Sequence, residues 1–363
     1  MILSGMLKDK LATAFLGIIV LIALGFMLSV AKSVFIPMVI AILFSFMLYP
    51  LIIALQSIKV PRIIAIAFVI IILFGFCYLI VMILYSSINA FSDQYPWYLE
   101  QFKDIYKDFS YQLMTRFNVS TSDFLLDYNW GKVSRGYLLS LSNSLTKLIG
   151  YILMVFFFLI FLFLEFPLFR IKLKKAFPVR TSKKFFIVIG HITREVGKYL
   201  SIKLLISALT GFLVWLVLLI IGLDFPLVWG VLAFFLNFIP NIGSILVVFF
   251  ISIQSVVQFY PSVGMVVLVA LTMTSIQMVL GNIVEPEMQG NKLNLSPVII
   301  LFSLVFWGWL WGAVGALLSV PITVTIKIVC QNISFLRPVA VMMGTGSPRK
   351  KPKPGPRRGK KKK

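Results

Sequence analysis

Charge is scarce in this chain. Asp, Glu, Lys and Arg make up 13% of its 363 residues, against about 25% in a soluble domain. Acids are scarcer still, with twelve Asp and Glu set against 34 Lys and Arg. There are two cysteines, Cys77 and Cys330, each within an apolar run, and one histidine, His191. That supply is too small for a disulfide framework or a Cys/His metal cluster, so no metal and no cofactor are expected. The sequence has no Walker loop, no GxSxG elbow and no HExxH pair, which argues against ATP-driven work and against hydrolase chemistry. No catalytic residue is assigned, and the chain is read as a non-enzyme.

What is present is apolar sequence. Hydrophobic residues make up 60% of the chain, and the mean hydropathy is +1.00. A bilayer core takes about 20 apolar residues as a helix. Runs of that kind cover Leu11–Val30, Ser33–Leu55, Ile63–Tyr85, Leu145–Leu168, Leu204–Leu223, Phe225–Gln258, Ser262–Ile283 and Pro297–Val329. They are continuous rather than alternating, which excludes a membrane barrel. The expected fold is an all-α polytopic membrane protein with about seven to eight hydrophobic spans. The first run is read as a span rather than a cleaved leader, because its core is too long and no small-residue cleavage site follows.

Charge placement orders these spans. Lys8 and Lys10 put the N-terminus in the cytoplasm. Span one leads out, and span two returns to Lys59 and Arg62. Six divisions follow: spans one to three over 1–87, an external amphipathic segment over 88–143, span four over 144–169, a basic amphipathic helix over 170–203, a C-terminal membrane region over 204–330, and a basic tail over 331–363. The tail carries ten Lys and Arg between Arg349 and Lys363. Its proline and glycine content predicts disorder. Its charge suits anionic lipid headgroups at the cytoplasmic face, and no nucleic-acid partner is expected. Both termini are therefore expected in the cytoplasm.

Two late runs are too long for one crossing. Phe225–Gln258 would extend about 51 Å as a straight helix, and NFIPNIGS sits in its middle. Pro240 removes a backbone donor, and Gly243 loosens the break. Pro297–Val329 is interrupted in the same way at WGWLWG, where Gly308 and Gly312 fall. Paired interrupted segments point to a transporter's binding site, since broken backbone at membrane depth must line a cavity or be buried in protein. Whether each is a re-entrant hairpin or two crossings is left open by parity.

Candidate path residues gather at these breaks. Gln277, Gly281 and Glu285 recur every four residues along one helix face, with Asn282 beside them. In EPEMQG, Pro286 is expected to stop the helix and Gly290 to allow the turn. Asn237 and Asn241 flank the first break, where amides are costly in lipid. Glu165 ends span four and suits an interfacial ion pair. Gly308 and Gly312, with Gly315, read as a small-residue packing face.

The stretch GLDFPLVWGVLAFFLNFIPNIGS from Gly222, and the stretch from GNIVEPEMQG at Gly281 through Val320-Pro321 to Val329, closely resemble the autoinducer-2 exporter family of bacterial permeases. The resemblance covers most of residues 10–330. It implies export of a small molecule, with the quorum-sensing signal autoinducer-2 as namesake, and homo-oligomers. Some relatives resemble sodium(lithium)/proton antiporters. Pro240, Gly243, Glu285, Pro286 and Gly290 occupy family-typical positions, while Asn241 and the FLFLEFP stretch around Glu165 depart from the pattern. The leading expectation is a secondary exporter of a small polar metabolite. A cation/proton antiporter and a non-transport scaffold stand as alternatives.

Overall fold

The computed structural model describes residues 15–17, 19–20, 22–117, 130–289 and 295–345. Among them every regular element is helical, and seven helices are long and apolar enough to cross a membrane. This is an all-α polytopic membrane protein. Gly290, the charged residues Asp123 and Asp127, and the tail beyond Thr345 lie outside the described residues.

Helix α1 spans Phe15–Val30 and α2 spans Lys32–Ser57. The reversal expected between them is not found. Ala31, at φ −91° and ψ 21°, donates its N–H to Met27 O and accepts from Phe35 N–H. Helical bonding therefore continues on both sides of a bend, which sets α1 at an angle to α2 instead of folding it back. The bend leaves the Leu28 carbonyl to the Trp311 indole, which donates to it at 3.1 Å.

Helix α3, Arg62–Phe117, and α4, Trp130–Ala176, outrun any bilayer. At about 1.5 Å per residue α3 is roughly 84 Å long, and its apolar part is confined to its first portion. The segment expected to be external thus begins as a continuation of α3 rather than as separate helices. Ile52 of α2, Ala65, Ile66 and Val69 of α3, and Val155, Leu159 and Phe163 of α4 form one apolar core. Arg62 closes its end by donating to Phe163 O at 2.7 Å.

Helix α5, Val179–Ile221, is central. Its first half, read in the sequence as a basic amphipathic helix, packs Ile192, Val196 and Leu200 into a core with Leu43, Val320, Val324 and Ile328. Gly197 makes this close packing possible, because a Cβ there would meet Phe46 O at 2.6 Å. The helix ends at Gly222 in the left-handed region, φ 80°, a position that suits a residue without Cβ.

The two interrupted runs are both hairpins. Helix α6, Pro226–Leu236, and α7, Ile242–Phe259, lie antiparallel around Pro240. Trp229 donates to Gln254 and Asp224 N–H to Gln258 Oε1 at 2.8 Å. At the tip a Cβ on Gly243 would stand 1.7 Å from Leu236 O, so only glycine fits. Helix α8, Val263–Gln289, follows. Helix α9, Pro297–Asn332, is broken at Gly312, φ 65° and ψ −148°. Ser303 Oγ donates to Ser319 O at 3.0 Å, although the two are 16 residues apart. In an unbent helix that separation would be about 24 Å. The glycine-rich face packs within this hairpin: a Cβ on Gly315 would lie 1.9 Å from Trp307 O, and one on Gly308 3.8 Å from the Ala316 Cβ. The short α10, Arg337–Met342, ends the described chain.

The hairpins enter from opposite ends of α5. The feet of α6–α7 stand beside Gly222 and the extension of α3: Tyr98 donates to Asp224 Oδ2 at 2.8 Å and Tyr260 to Asp108 Oδ2 at 2.7 Å. The open end of α9 stands at the other end, where Ser296 N–H donates to Met343 O at 3.0 Å and Leu295 and Met343 join the core of Ile192, Tyr199 and Leu200.

Candidate solute path

A polar stripe runs along α5 through the apolar packing. Tyr199, Lys203, Ser207 and Thr210 fall at helical spacing on one face and are all buried. Residues four and three apart share a helix face, so the four make a single column. Tyr199, Lys203 and Ser207 meet elements from the second half of the chain, while Thr210 Oγ1 donates to Ile206 O on its own helix.

At the lower end Lys203 meets Glu285 of α8. Its ammonium donates to Oε1 at 2.6 Å and to Oε2 at 2.8 Å. The side chains are 4% and 17% exposed, so both charges are largely withdrawn from solvent. Gln289 donates to the same carboxylate at 2.9 Å. One turn along α5, Ser207 Oγ accepts from Asn237 Nδ2 at 3.1 Å, which seats the tip of the α6–α7 hairpin on the stripe. The hairpin reaches it because Gly211 and Gly230 let the two backbones touch: a Cβ on Gly230 would lie 2.7 Å from Gly211 O.

Helix α8 runs antiparallel to α5, so its residues before Glu285 lie level with the upper stripe. Gln277 is 6% exposed, and neither atom of its amide has a hydrogen-bond partner. A buried amide in that condition costs about 1–3 kcal/mol.

The Gln277-to-Glu285 segment differs from the expected helix in one respect. A π turn occupies Val279–Val284, and Glu285 N–H reaches back to Leu280 O. Pro286 therefore does not end the helix, which runs on to Gln289. Proline has no N–H and clashes with the carbonyl four residues back. Widening the turn relieves that clash and re-aims Glu285. Such turns recur at functional sites.

The remaining candidates disperse. Asn241 holds the tip turn at φ 59°, but it is exposed, as is Asn282. Glu165 is exposed and pairs with Lys172 on its own helix. Among the described residues no group of His, Cys, Asp or Glu is arranged to hold a metal ion.

Residues 16–335 match the family model described as AI-2E family transporter. The chain belongs to this family. A relative from Borreliella burgdorferi, named for transport, is 42% identical over 90% of this chain and 89% of its own length. The AI-2 transport protein TqsA of Escherichia coli is 31% identical, covering 90% of this chain and 94% of TqsA. YhhT of Escherichia coli, also named for transport, is 30% identical over 88% and 90%. The AI-2E membership and the membrane-spanning helices together make this chain a membrane transporter.

Sequence reasoning missed Lys203. Its spacing to Ser207 and Thr210 is the signal of a polar face, hidden among the basic residues of 170–203.

Proposed function

We propose that this transporter is a secondary exporter of a small polar, hydroxylated metabolite, of which autoinducer-2 is one example, across the bacterial inner membrane. The buried Lys203–Glu285 pair carries the reading. Two charges largely withdrawn from water persist when paired, and an ionisable pair at membrane depth marks a transport path. In this mechanism Asn237, Ser207, Thr210 and Gln277 offer hydrogen bonds to hydroxyls above the pair. Protonation of Glu285 breaks the pair, frees Lys203 and opens the path below it. The two hairpins approach the stripe from opposite ends, which suits alternating access. The orientation that fits the basic loops places the α6–α7 hairpin at the outer face and α9 at the cytoplasmic face. A homo-oligomer and contact of the basic tail with anionic lipid complete the proposal.

The experiment is solute flux in vesicles reconstituted with the full chain. Glu285→Gln is expected to lower flux by about tenfold, equivalent to about 1.4 kcal/mol. Unchanged flux removes Glu285 from the mechanism. Sodium-dependent proton flux without solute would instead favour the antiporter, which Glu285 also suits as a carboxylate withdrawn from solvent. A role that survives loss of flux but not loss of the tail would favour the scaffold.

A further inference from the structure

The chain after α9 has two unlike faces. Ala340 and Met343 are turned inward, and Met343 joins the core built from α2, α5 and α9. Opposite them, Phe335 is 87% exposed, Met342 80% and Val341 69%. This apolar face stands at the end of the molecule where α9 opens. The sequence beyond Thr345 supplies ten Lys and Arg from Arg349 onward, and no Asp or Glu occurs anywhere after Glu287. Apolar side chains beside a run of bases are the two components of binding to a negatively charged leaflet. The apolar groups enter the headgroup boundary, and the bases meet anionic headgroups.

We propose that residues 333–345 form a lipid-sensing foot that docks on anionic lipid and sets the position of the α9 hairpin. The coupling is direct. Met343 O accepts from Ser296 N–H at 3.0 Å, and Ser296 is the residue that begins α9. The foot and the root of the hairpin therefore share one hydrogen bond and one apolar core. A leaflet that draws Phe335, Val341 and Met342 into its boundary holds Met343 in place, and through it Ser296. The occupant is a lipid surface rather than a protein groove or a nucleic acid, because the exposed face is apolar and the charge follows it in sequence. The proposal is independent of which solute is moved.

The test uses the full chain with Cys77 and Cys330 replaced by alanine and Met342→Cys carrying an environment-sensitive fluorophore. Vesicles are of phosphatidylcholine alone or of phosphatidylcholine with phosphatidylglycerol. The expected result is a blue-shifted emission only with phosphatidylglycerol, lost at about 1 M salt, where charge is screened within about 3 Å, and lost on truncation after Thr345. In the same vesicles, hydrogen exchange at Ser296 N–H is expected to slow several-fold. Phe335→Cys gives a second reporter should Met342→Cys fail to fold. Equal emission in both lipids overturns the proposal. So does a response to added RNA in phosphatidylcholine without one to phosphatidylglycerol.

Discussion

Lys203 and Glu285 show how much depends on one pair. Removing one partner leaves the other charge without compensation, a loss of about 3–5 kcal/mol for a buried pair. Lys203→Met is therefore expected to lower the thermal midpoint in detergent sharply, and adding Glu285→Gln to recover most of that loss. Simple addition of the two effects would show that the pair does not act as a unit. Gln277 should behave in the opposite way. Its amide is buried without partners, so Gln277→Leu is expected to stabilise the fold by about 1 kcal/mol or more while lowering flux. A lower midpoint would mean that the amide is already satisfied. Glu285, Gln277 and Asn237 were legible in the sequence because acids and amides are rare in apolar runs. Lys203 was not, since its partner lies 82 residues away and its neighbours in the chain are ordinary surface bases.

At the scale of elements, breaks were legible and directions were not. Pro240 and Gly312 mark true breaks, whereas Pro286 does not, because the π turn before it accommodates the ring. The reversal after each break depends on partners such as Ser303 with Ser319, which no local pattern reveals. The bend at Ala31 was hidden for the same reason: two apolar runs with a short joint read alike whether they fold back or continue. The feet of the α6–α7 hairpin are held by a polar clasp, in which Gln254 donates to Tyr98 Oη at 3.1 Å and to Asp224 O at 3.0 Å. Tyr98→Phe is expected to weaken the clasp by about 1 kcal/mol, seen as roughly fivefold faster hydrogen exchange near Asp224. Phe91, Phe225 and Tyr98 also pack their rings against one another, and unchanged exchange would show that this ring packing holds the feet alone. Burial, reinforced by the hydrogen bond to Asp224, raises the Tyr98 phenol well above its ordinary range. Its contribution is therefore complete below about pH 10 and is lost only as pH rises through that raised value.

For the whole molecule, opposite entry of the hairpins makes a prediction about sidedness. In sealed vesicles of one orientation, a membrane-impermeant thiol reagent should reach Tyr260→Cys from one face and Phe335→Cys from the other. Labelling of both from the same face would overturn the arrangement. The contact of Gly211 with Gly230 carries a mechanical consequence for such a molecule. Where two backbones touch, the contact is the point about which a tilt of the α6 rod would turn. Asn237 lies about 10 Å to one side of that pivot and Phe225 about 8 Å to the other. A tilt that lifts the tip off Ser207 would drive the opposite end about seven-tenths as far the other way, into the aromatic rings around Tyr98. A load at the Phe225 end would thus raise the Asn237 end, as on a see-saw.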